Sequence, residues 1–261
     1  MSSLSDTPRL KHPLILAHGL LGSDYYGLFG IKIACYFRQI PQRFEQAGNR
    51  VMVTRVPATG SIRERAKVLK KQIRSRFADE PVHVIAHSMG GLDARYMISS
   101  LNMGEKVISL TTLGTPHRGA FLADFLQPRF RKYGVFSWLH LLGIGTEAAN
   151  DLRRESCAEF NERNPDHESV RYFSVAGRKD VSRMELLLRV TGRIIEKHAG
   201  DNDGLVSVAS AGWGERQTIW PCDHLDMVGW STPCERASRY YCDIRPYYDN
   251  ILRNLADIEC G

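Results

Sequence analysis

One stretch decides the fold of this chain, VIAHSMGGLDARY at residues 84–96. An apolar run stops at Ala86, a serine interrupts it soon after, and a pair of glycines opens a segment with helical character. Strand, serine turn and helix in this order are the context of a nucleophile elbow. Such a turn forces Ser88 into a strained positive-φ conformation that lifts its hydroxyl above the sheet. The residues two before and two after must be small, and Ala86, where glycine is usual, and Gly90 satisfy this.

The alternative for Ser88 is a plain helix start at which the serine serves only as the N-cap. The rest of the chain favours the elbow, because segments of strand and helix character alternate along it. The expected strands cover residues 13–18, 50–57, 82–87, 106–116, 170–177 and 216–221, and the expected helices cover 61–79, 89–101 and 247–259. This alternation predicts a single α/β domain over residues 1–261, with a mostly parallel sheet covered by helices on both faces. Functional sites form at the carboxyl ends of such strands.

The helix expected over residues 61–79 begins with a capping box, Ser61 followed by Glu64. One face is apolar at helical spacing, and the opposite face is basic. The basic residues are Arg63, Arg65, Lys67, Lys70, Lys71, Arg74 and Arg76. We expect this face to be solvated, with binding to anionic lipid as the alternative. The net charge of +6 is moderate, and no nucleic-acid partner is expected.

A serine hydroxyl needs a base that removes its proton, and that base is usually a histidine. After an elbow of this kind, the acid comes next along the chain and the histidine last. Only His224 lies in a loop after a late strand and leaves room for an acid between itself and Ser88. Asp180, Asp201 and Asp203 qualify as the acid by position. Asp203 is preferred to Asp180, partly because the glycine that follows it predicts a tight, well-defined turn and partly because of the family resemblance described below.

Acyl transfer also needs two backbone N–H groups where the oxyanion forms. Met89 directly follows Ser88 at a helix N-terminus, so its amide is the first expected donor. The second donor is expected in LILAHGLLGS, residues 14–23, where Leu20 is the candidate. These groups together predict a site for acyl transfer.

Five motifs in this order resemble the bacterial triacylglycerol lipases of the Pseudomonas and Proteus type: PLILAHGLLG, VIAHSMGGLDARY, LTTLGTPHRGA, NDGLV and DHLDMV. The resemblance runs from about residue 13 to 230 and is weakest over 121–168 and 178–200. It implies the α/β-hydrolase fold and the hydrolysis of lipid esters. The residues that match the family's catalytic positions are Ser88, Asp203 and His224 for the triad, and Leu20 and Met89 for the oxyanion hole.

The same family often carries a calcium ion near the catalytic histidine, held partly by an aspartate two residues after it. Asp226 matches that position, but the upstream aspartate has no counterpart in residues 178–200, and Trp230 stands where a glutamine is expected. A hard cation needs several oxygen ligands. We therefore expect no required cofactor and no metal ligand, and a structural calcium ion is the alternative. Asp226 would then be a surface carboxylate or one that supports the site indirectly.

Residues 117–168 form an insertion that a minimal hydrolase does not need. It is rich in large apolar residues, namely Phe121, Leu122, Phe125, Leu126, Phe130, Val135, Phe136, Trp138, Leu139, Leu141 and Leu142. We expect either a lid that makes transient contact with a membrane or lipid-droplet surface, or an extra packed helical layer. An apolar cover favours a fatty acyl chain over a sugar or a peptide as the substrate.

The chain shows neither a signal-peptide pattern nor an apolar stretch long enough to span a bilayer. Its six cysteines form no CxxC pair, so reduced thiols in the cytoplasm are expected, with one C-terminal disulfide as the alternative under export. The sequence thus predicts a serine hydrolase of lipid esters. The alternatives are a soluble carboxylesterase or acyl thioesterase, and a non-catalytic binding protein of the same fold.

Overall fold

The computed structural model describes residues 7–20, 22, 25–28, 31–78, 80–125, 146–231, 236 and 241–261. The strands in these ranges are β1 (Leu14–Ala17), β2 (Tyr25–Leu28), β3 (Ile31–Cys35), β4 (Val51–Val53), β5 (Val82–His87), β6 (Val107–Leu113), β7 (Arg171–Gly177) and β8 (Arg216–Trp220). The α-helices are α1 (Ile40–Gln46), α2 (Ile62–Phe77), α3 (Met89–Ser99), α4 (Thr146–Asp151), α5 (Arg154–Arg163), α6 (Leu186–Ala199), α7 (Val208–Ala211) and α8 (Arg245–Cys260). Residues 121–125 are also helical.

Six of these strands form one parallel sheet in the order β4-β1-β5-β6-β7-β8. They are the six strands that the sequence predicts, so the expectation of a parallel α/β sheet is confirmed. Strands β2 and β3 form a separate antiparallel hairpin, which the sequence did not indicate. Each hairpin strand has five residues or fewer, too few to show a clear period-2 pattern.

Helices cover both faces of the sheet, as predicted. Alternate side chains of a strand point to opposite faces, and in β1 they enter two different apolar cores. Leu14 and Leu16 pack with helices α1 and α8, whereas Ile15 and Ala17 pack with α2 and α3. Every residue of β5 is buried. The turn that follows β5 is therefore carried by the rigid centre of the sheet.

Helix α2 begins with the predicted capping box, but its basic face is not solvated throughout. Arg65 is fully buried, so the expectation that it lies in water is wrong. Its Nε donates to Asp93 Oδ2 at 2.8 Å, and its other nitrogens donate to the carbonyl oxygens of Pro57 and His18. The periodicity of α2 could not reveal this, because the partner carboxylate belongs to α3. The pair ties both helices to the loop after β1.

The insertion over residues 117–168 is described only at its two ends. Residues 126–145, which carry most of the apolar side chains that indicate a lid, lie outside the described residues. Near its end, Ala148 and Cys157 pack with Met89 at the start of α3. Helices α4 and α5 therefore contribute to a packed layer beside the turn at Ser88, and the lid itself stays a prediction.

Within the described ranges, no helix has both the length and the apolar character needed to cross a membrane. The cysteine thiols described there are free, and they belong to Cys157, Cys222, Cys242 and Cys260. Cys234, which a C-terminal disulfide could also have used, lies outside the described residues.

Candidate active site

The turn after β5 has the geometry of a nucleophile elbow. Ser88 has φ 55° and ψ −134°, a backbone conformation that non-glycine residues rarely adopt. Two hydrogen bonds hold it there: Ser88 N donates to Leu113 O at 2.8 Å, and Thr115 Oγ1 donates to Ser88 O at 2.7 Å. The Ser88 side chain makes no capping hydrogen bond to α3, so the N-cap alternative is wrong. The strain therefore serves to display a half-buried hydroxyl among buried neighbours.

The small residues of the turn are required by close backbone crossings. An ideal Cβ placed on Gly90 would lie 2.7 Å from His18 O, so a larger residue could not pass β1 there. A Cβ on Gly19 would lie 2.6 Å from Ser88 Cβ. The loop after β1 thus lies directly against the serine.

His224 and Asp203 form the hydrogen bond that a catalytic base and its orienting acid require. His224 Nδ1 lies 2.7 Å from Asp203 Oδ2, and both residues are buried. The loop is further held by His224 N, which donates to Asp203 O at 2.8 Å. Since a carboxylate only accepts, Nδ1 carries the ring proton and Nε2 is left free to accept one from a hydroxyl.

Asp203 itself is fixed by its own tight turn. Its Oδ1 accepts from Leu205 N at 2.9 Å and from Val206 N at 2.7 Å, which leaves Oδ2 for the imidazole. Asp180, the other aspartate weighed for this role, is exposed and accepts from Ser182 N instead. Of these two aspartates, the structure brings Asp203 to His224.

Ser88 and the His224–Asp203 pair lie at the same edge of the sheet. Leu113 O accepts from Ser88 N, and the next residue, Gly114, lies between the two groups. A Cβ on Gly114 would be 2.9 Å from Asp203 Oδ2 and 3.1 Å from His224 Nδ1. The carboxyl ends of β5 and β6 thus bring the serine and the histidine loop together.

Tyr36 and His87 link the parts of the site, a connection that the motifs did not reveal. Tyr36 Oη lies 2.8 Å from His87 Nδ1 and accepts from Gly19 N at 3.3 Å. His87 Nε2 lies 3.1 Å from His224 O, and the two rings are 4.4 Å apart. Burial lowers the pKa of His87 well below its ordinary value, and the neighbouring His224 lowers it further. His87 is therefore a neutral residue that connects Tyr36 to the His224 loop through hydrogen bonds of its two ring nitrogens.

One candidate oxyanion donor directly follows Ser88, and the other belongs to the loop after β1 that approaches Ser88. Met89 is the first residue of α3 and is buried, so its N–H lies at the positive end of the helix dipole. Leu20 lies in the turn after β1, immediately beyond Gly19, which approaches Ser88. This placement is compatible with a shared anion site, and the role of both amides stays a prediction.

Replacement of Gly114 by alanine should damage the site without unfolding the protein. Gly114 has φ +55°, so Gly114→Ala strains the backbone and also pushes a methyl group against Asp203 and His224. We expect kcat for a soluble ester to fall by about 10²-fold, the effect of a displacement of about 1 Å at a reacting group. Steady-state kinetics on a nitrophenyl ester would measure it.

Gly200→Ala is the matched control. Gly200 also has a positive φ, +76°, but nothing lies within 4 Å of its Cβ position. Both variants should lose about 1–3 kcal/mol of stability from the strained backbone. Only Gly114→Ala should lose activity, and an equal loss in both variants would contradict the crowding described for Gly114.

The described residues of the candidate active site offer few ligands for a metal ion. Among the residues that the structure describes, no group of three or more His, Cys, Asp or Glu side chains could hold one. Asp226, the residue that matches the family's calcium position, is 1% exposed, so it is not a surface carboxylate. Trp230 Nε1 donates to Tyr36 O at 2.8 Å, and the indole side chain offers no oxygen ligand.

Comparisons with known proteins find a family model, curated lipases and a solved lipase structure that are similar to this chain. Residues 58–132 match the family described as PGAP1-like alpha/beta domain. Triacylglycerol lipase 2 of Saccharomyces cerevisiae is 34% identical over 210 residues, which cover 75% of this chain and 62% of the yeast protein, less than two thirds of its length. The triacylglycerol lipase of Vibrio cholerae is 27% identical over 258 residues, which cover 84% of this chain and 80% of that lipase. The crystal structure of Staphylococcus hyicus lipase superposes with a TM-score of 0.73 at 20% identity, covering 97% of each chain.

The parallel sheet, the strained turn at Ser88 and the chain order serine, aspartate, histidine define a protein of the α/β-hydrolase class. Within that class the chain is similar to triacylglycerol lipases, as the five motifs indicate and the sequence matches support.

Proposed function

We propose that this protein is a serine hydrolase that cleaves carboxylic esters of lipids through an acyl-enzyme. The observation that carries the proposal is a half-buried, strained Ser88 at the sheet edge where His224 binds Asp203 at 2.7 Å. The similarity to triacylglycerol lipases supports lipid esters as the substrate class. A non-catalytic binding protein would have no need of a strained serine beside an oriented base.

In the first half-reaction, Ser88 Oγ attacks the ester carbonyl while His224 Nε2 accepts its proton. Asp203 holds the imidazole in the required tautomer and stabilises its charged form. The N–H groups of Leu20 and Met89 bind the oxyanion of the tetrahedral intermediate. Collapse of that intermediate releases the alcohol, which takes the proton from His224, and leaves the acyl group on Ser88.

In the second half-reaction, water takes the place of the alcohol. His224 removes a proton from the water, which attacks the acyl-enzyme carbonyl, and the same two amides bind the new oxyanion. The carboxylic acid leaves as Ser88 recovers its proton. Residues 117–168 would cover the acyl chain as a lid and bring the site into transient contact with a lipid surface.

The substrate class is tested by a series of nitrophenyl esters from acetate to palmitate, with and without an emulsified lipid interface. We expect activity to rise with acyl length and to increase when an interface is present, because the apolar insertion favours a fatty acyl chain. Ser88→Ala provides the blank for each substrate.

A soluble carboxylesterase would give the opposite profile, with its highest kcat/KM on short esters and no response to an interface. Faster turnover of acyl thioesters than of the matched oxygen esters would indicate a thioesterase. Either profile would leave the proposed chemistry of Ser88 in place and contradict the lipid substrate.

A further inference from the structure

A buried lysine lies next to the loop that carries His224, and its ammonium group binds two carboxylates of that loop. Lys179 follows β7, and its side chain is 8% exposed. Its Nζ donates to Asp223 Oδ2 at 3.0 Å and to Asp226 Oδ2 at 2.7 Å. These two aspartates lie on either side of His224 and Leu225 in the chain. One ammonium thus joins both ends of the segment that carries the base.

The carboxylate oxygens of this segment are all engaged by protein donors. Asp223 Oδ2 also accepts from Glu185 N at 3.0 Å, and Asp223 Oδ1 accepts from the backbone of Leu225 and Asp226. Asp226 Oδ2 also accepts from Asp223 N at 3.1 Å, and its Oδ1 accepts from Ser231 Oγ at 2.9 Å. No oxygen of the two carboxylates is left without a donor.

The positive charge of Lys179 offsets the repulsion between the two buried carboxylates of Asp223 and Asp226. Burial raises the pKa of Asp223, and the neighbouring Asp226 raises it further, so the pair needs a counter-ion. Burial alone would lower the pKa of Lys179, but both carboxylates raise it above its ordinary value. The ammonium therefore stays charged wherever the protein is folded near neutral pH.

Lys179 also connects this segment to the loop of the catalytic acid. Its backbone N donates to Asn202 O at 3.3 Å, next to Asp203 in the chain. The loop after α6, which carries the acid, and the loop after β8, which carries the base, are thus both bonded to one residue of the loop after β7. A shift of Lys179 would move the two groups relative to each other.

The arrangement does not fit the calcium ion that the family resemblance implies. Calcium takes six to eight oxygen ligands at about 2.3–2.6 Å. Here Lys179 Nζ lies between the two carboxylates that could supply such ligands, and the oxygens already accept N–H and O–H donors. The ammonium and a divalent cation would compete for the same oxygens.

We propose that Lys179 is a positioning residue that takes the place of a calcium ion in holding the His224 loop, so that the protein requires no added metal. The ammonium supplies positive charge between Asp223 and Asp226 and fixes the loop from within the chain. The expected effect of Lys179 on kcat rests on the proposed function. The claim that its ammonium replaces calcium between Asp223 and Asp226 does not.

The test compares wild type, Lys179→Met and Lys179→Asp in EDTA and in millimolar calcium chloride, with Tm and soluble-ester kinetics as readouts. Wild-type Tm, kcat and KM should be the same in both solutions. Lys179→Met should lose about 10–100-fold in kcat, the usual effect of removing a supporting contact, with KM changed by less than about threefold.

Lys179→Asp, which adds a third carboxylate, should gain Tm in calcium but not in EDTA. Lys71→Met, at an exposed lysine of α2, is the matched control.

Two results would overturn the proposal. A fall of wild-type Tm and kcat in EDTA that calcium restores would show that a metal holds the loop, and unchanged kcat in folded Lys179→Met would show that the ammonium does not position the base. If Lys179→Met does not fold, Lys179→Gln, which keeps a hydrogen-bond donor, replaces it in the same comparison. If the wild-type protein hydrolyses no ester, the proposed function fails. The response of the wild-type Tm to EDTA still decides whether the protein needs a metal.

Discussion

Ser88→Ala is expected to abolish ester hydrolysis while the protein stays folded. Loss of the nucleophile of a serine–histidine pair lowers kcat by roughly 10⁶-fold. The backbone strain at Ser88 is common to serine and alanine, and the Ser88 side chain makes no capping hydrogen bond. The free energy of unfolding should therefore change by about 1 kcal/mol or less. Kinetics on nitrophenyl esters and a thermal melt measure the two effects.

A neighbouring serine serves as the control for this substitution. Ser100 directly follows helix α3 as its C-cap, and its Oγ donates to Asn164 Oδ1 away from the catalytic groups. Ser100→Ala should keep full activity. Large unfolding of Ser88→Ala, or retained hydrolysis in the folded variant, would be incompatible with the role assigned to Ser88.

Asp203→Asn should give the second-largest loss, about 10⁴-fold in kcat. Asp203 Oδ1 accepts two backbone N–H groups, so the asparagine carbonyl must occupy that position and its amide must face His224. The amide donates to Nδ1, which forces the ring proton onto Nε2. In that tautomer His224 cannot accept the proton of Ser88. Steady-state kinetics at neutral pH would measure the loss.

Asp180→Asn is the matched control, because Asp180 is the alternative acid in the sequence. It is exposed and accepts from the N–H and hydroxyl of Ser182, so its substitution should leave kcat within about twofold, as a surface change usually does. The reverse pattern, in which Asp180→Asn is inactive and Asp203→Asn is active, would contradict the assignment of the acid.

Much of this arrangement could be predicted because its signals are local. The elbow needs small residues at fixed spacing around Ser88. The start of α2 is marked in the sequence by the capping box of Ser61 and Glu64. The six parallel strands could be located because each is a short apolar run between turn residues. The position of Asp203 beside His224 depended on chain order and on the family resemblance, and the structure brings the two together.

Other features could not be read from the sequence, because they depend on contacts between distant elements. Arg65 looks like part of a solvated face until Asp93 of α3 is placed against it. Lys179 has no special sequence context, and its importance appears only when the loops after β7 and β8 come together. Tyr36 lies beyond a hairpin too short to be predicted, yet it bonds to the residue before the nucleophile.

Labelling with a fluorophosphonate, followed by mass spectrometry of the peptides, tests the central claim most directly. Such a probe phosphonylates only a serine that is activated by a base and accessible to substrate. We expect one adduct, on Ser88, formed in step with the loss of esterase activity and nearly absent in Asp203→Asn. The absence of any adduct on Ser88 in folded wild-type protein, or full activity after complete labelling, would contradict the account.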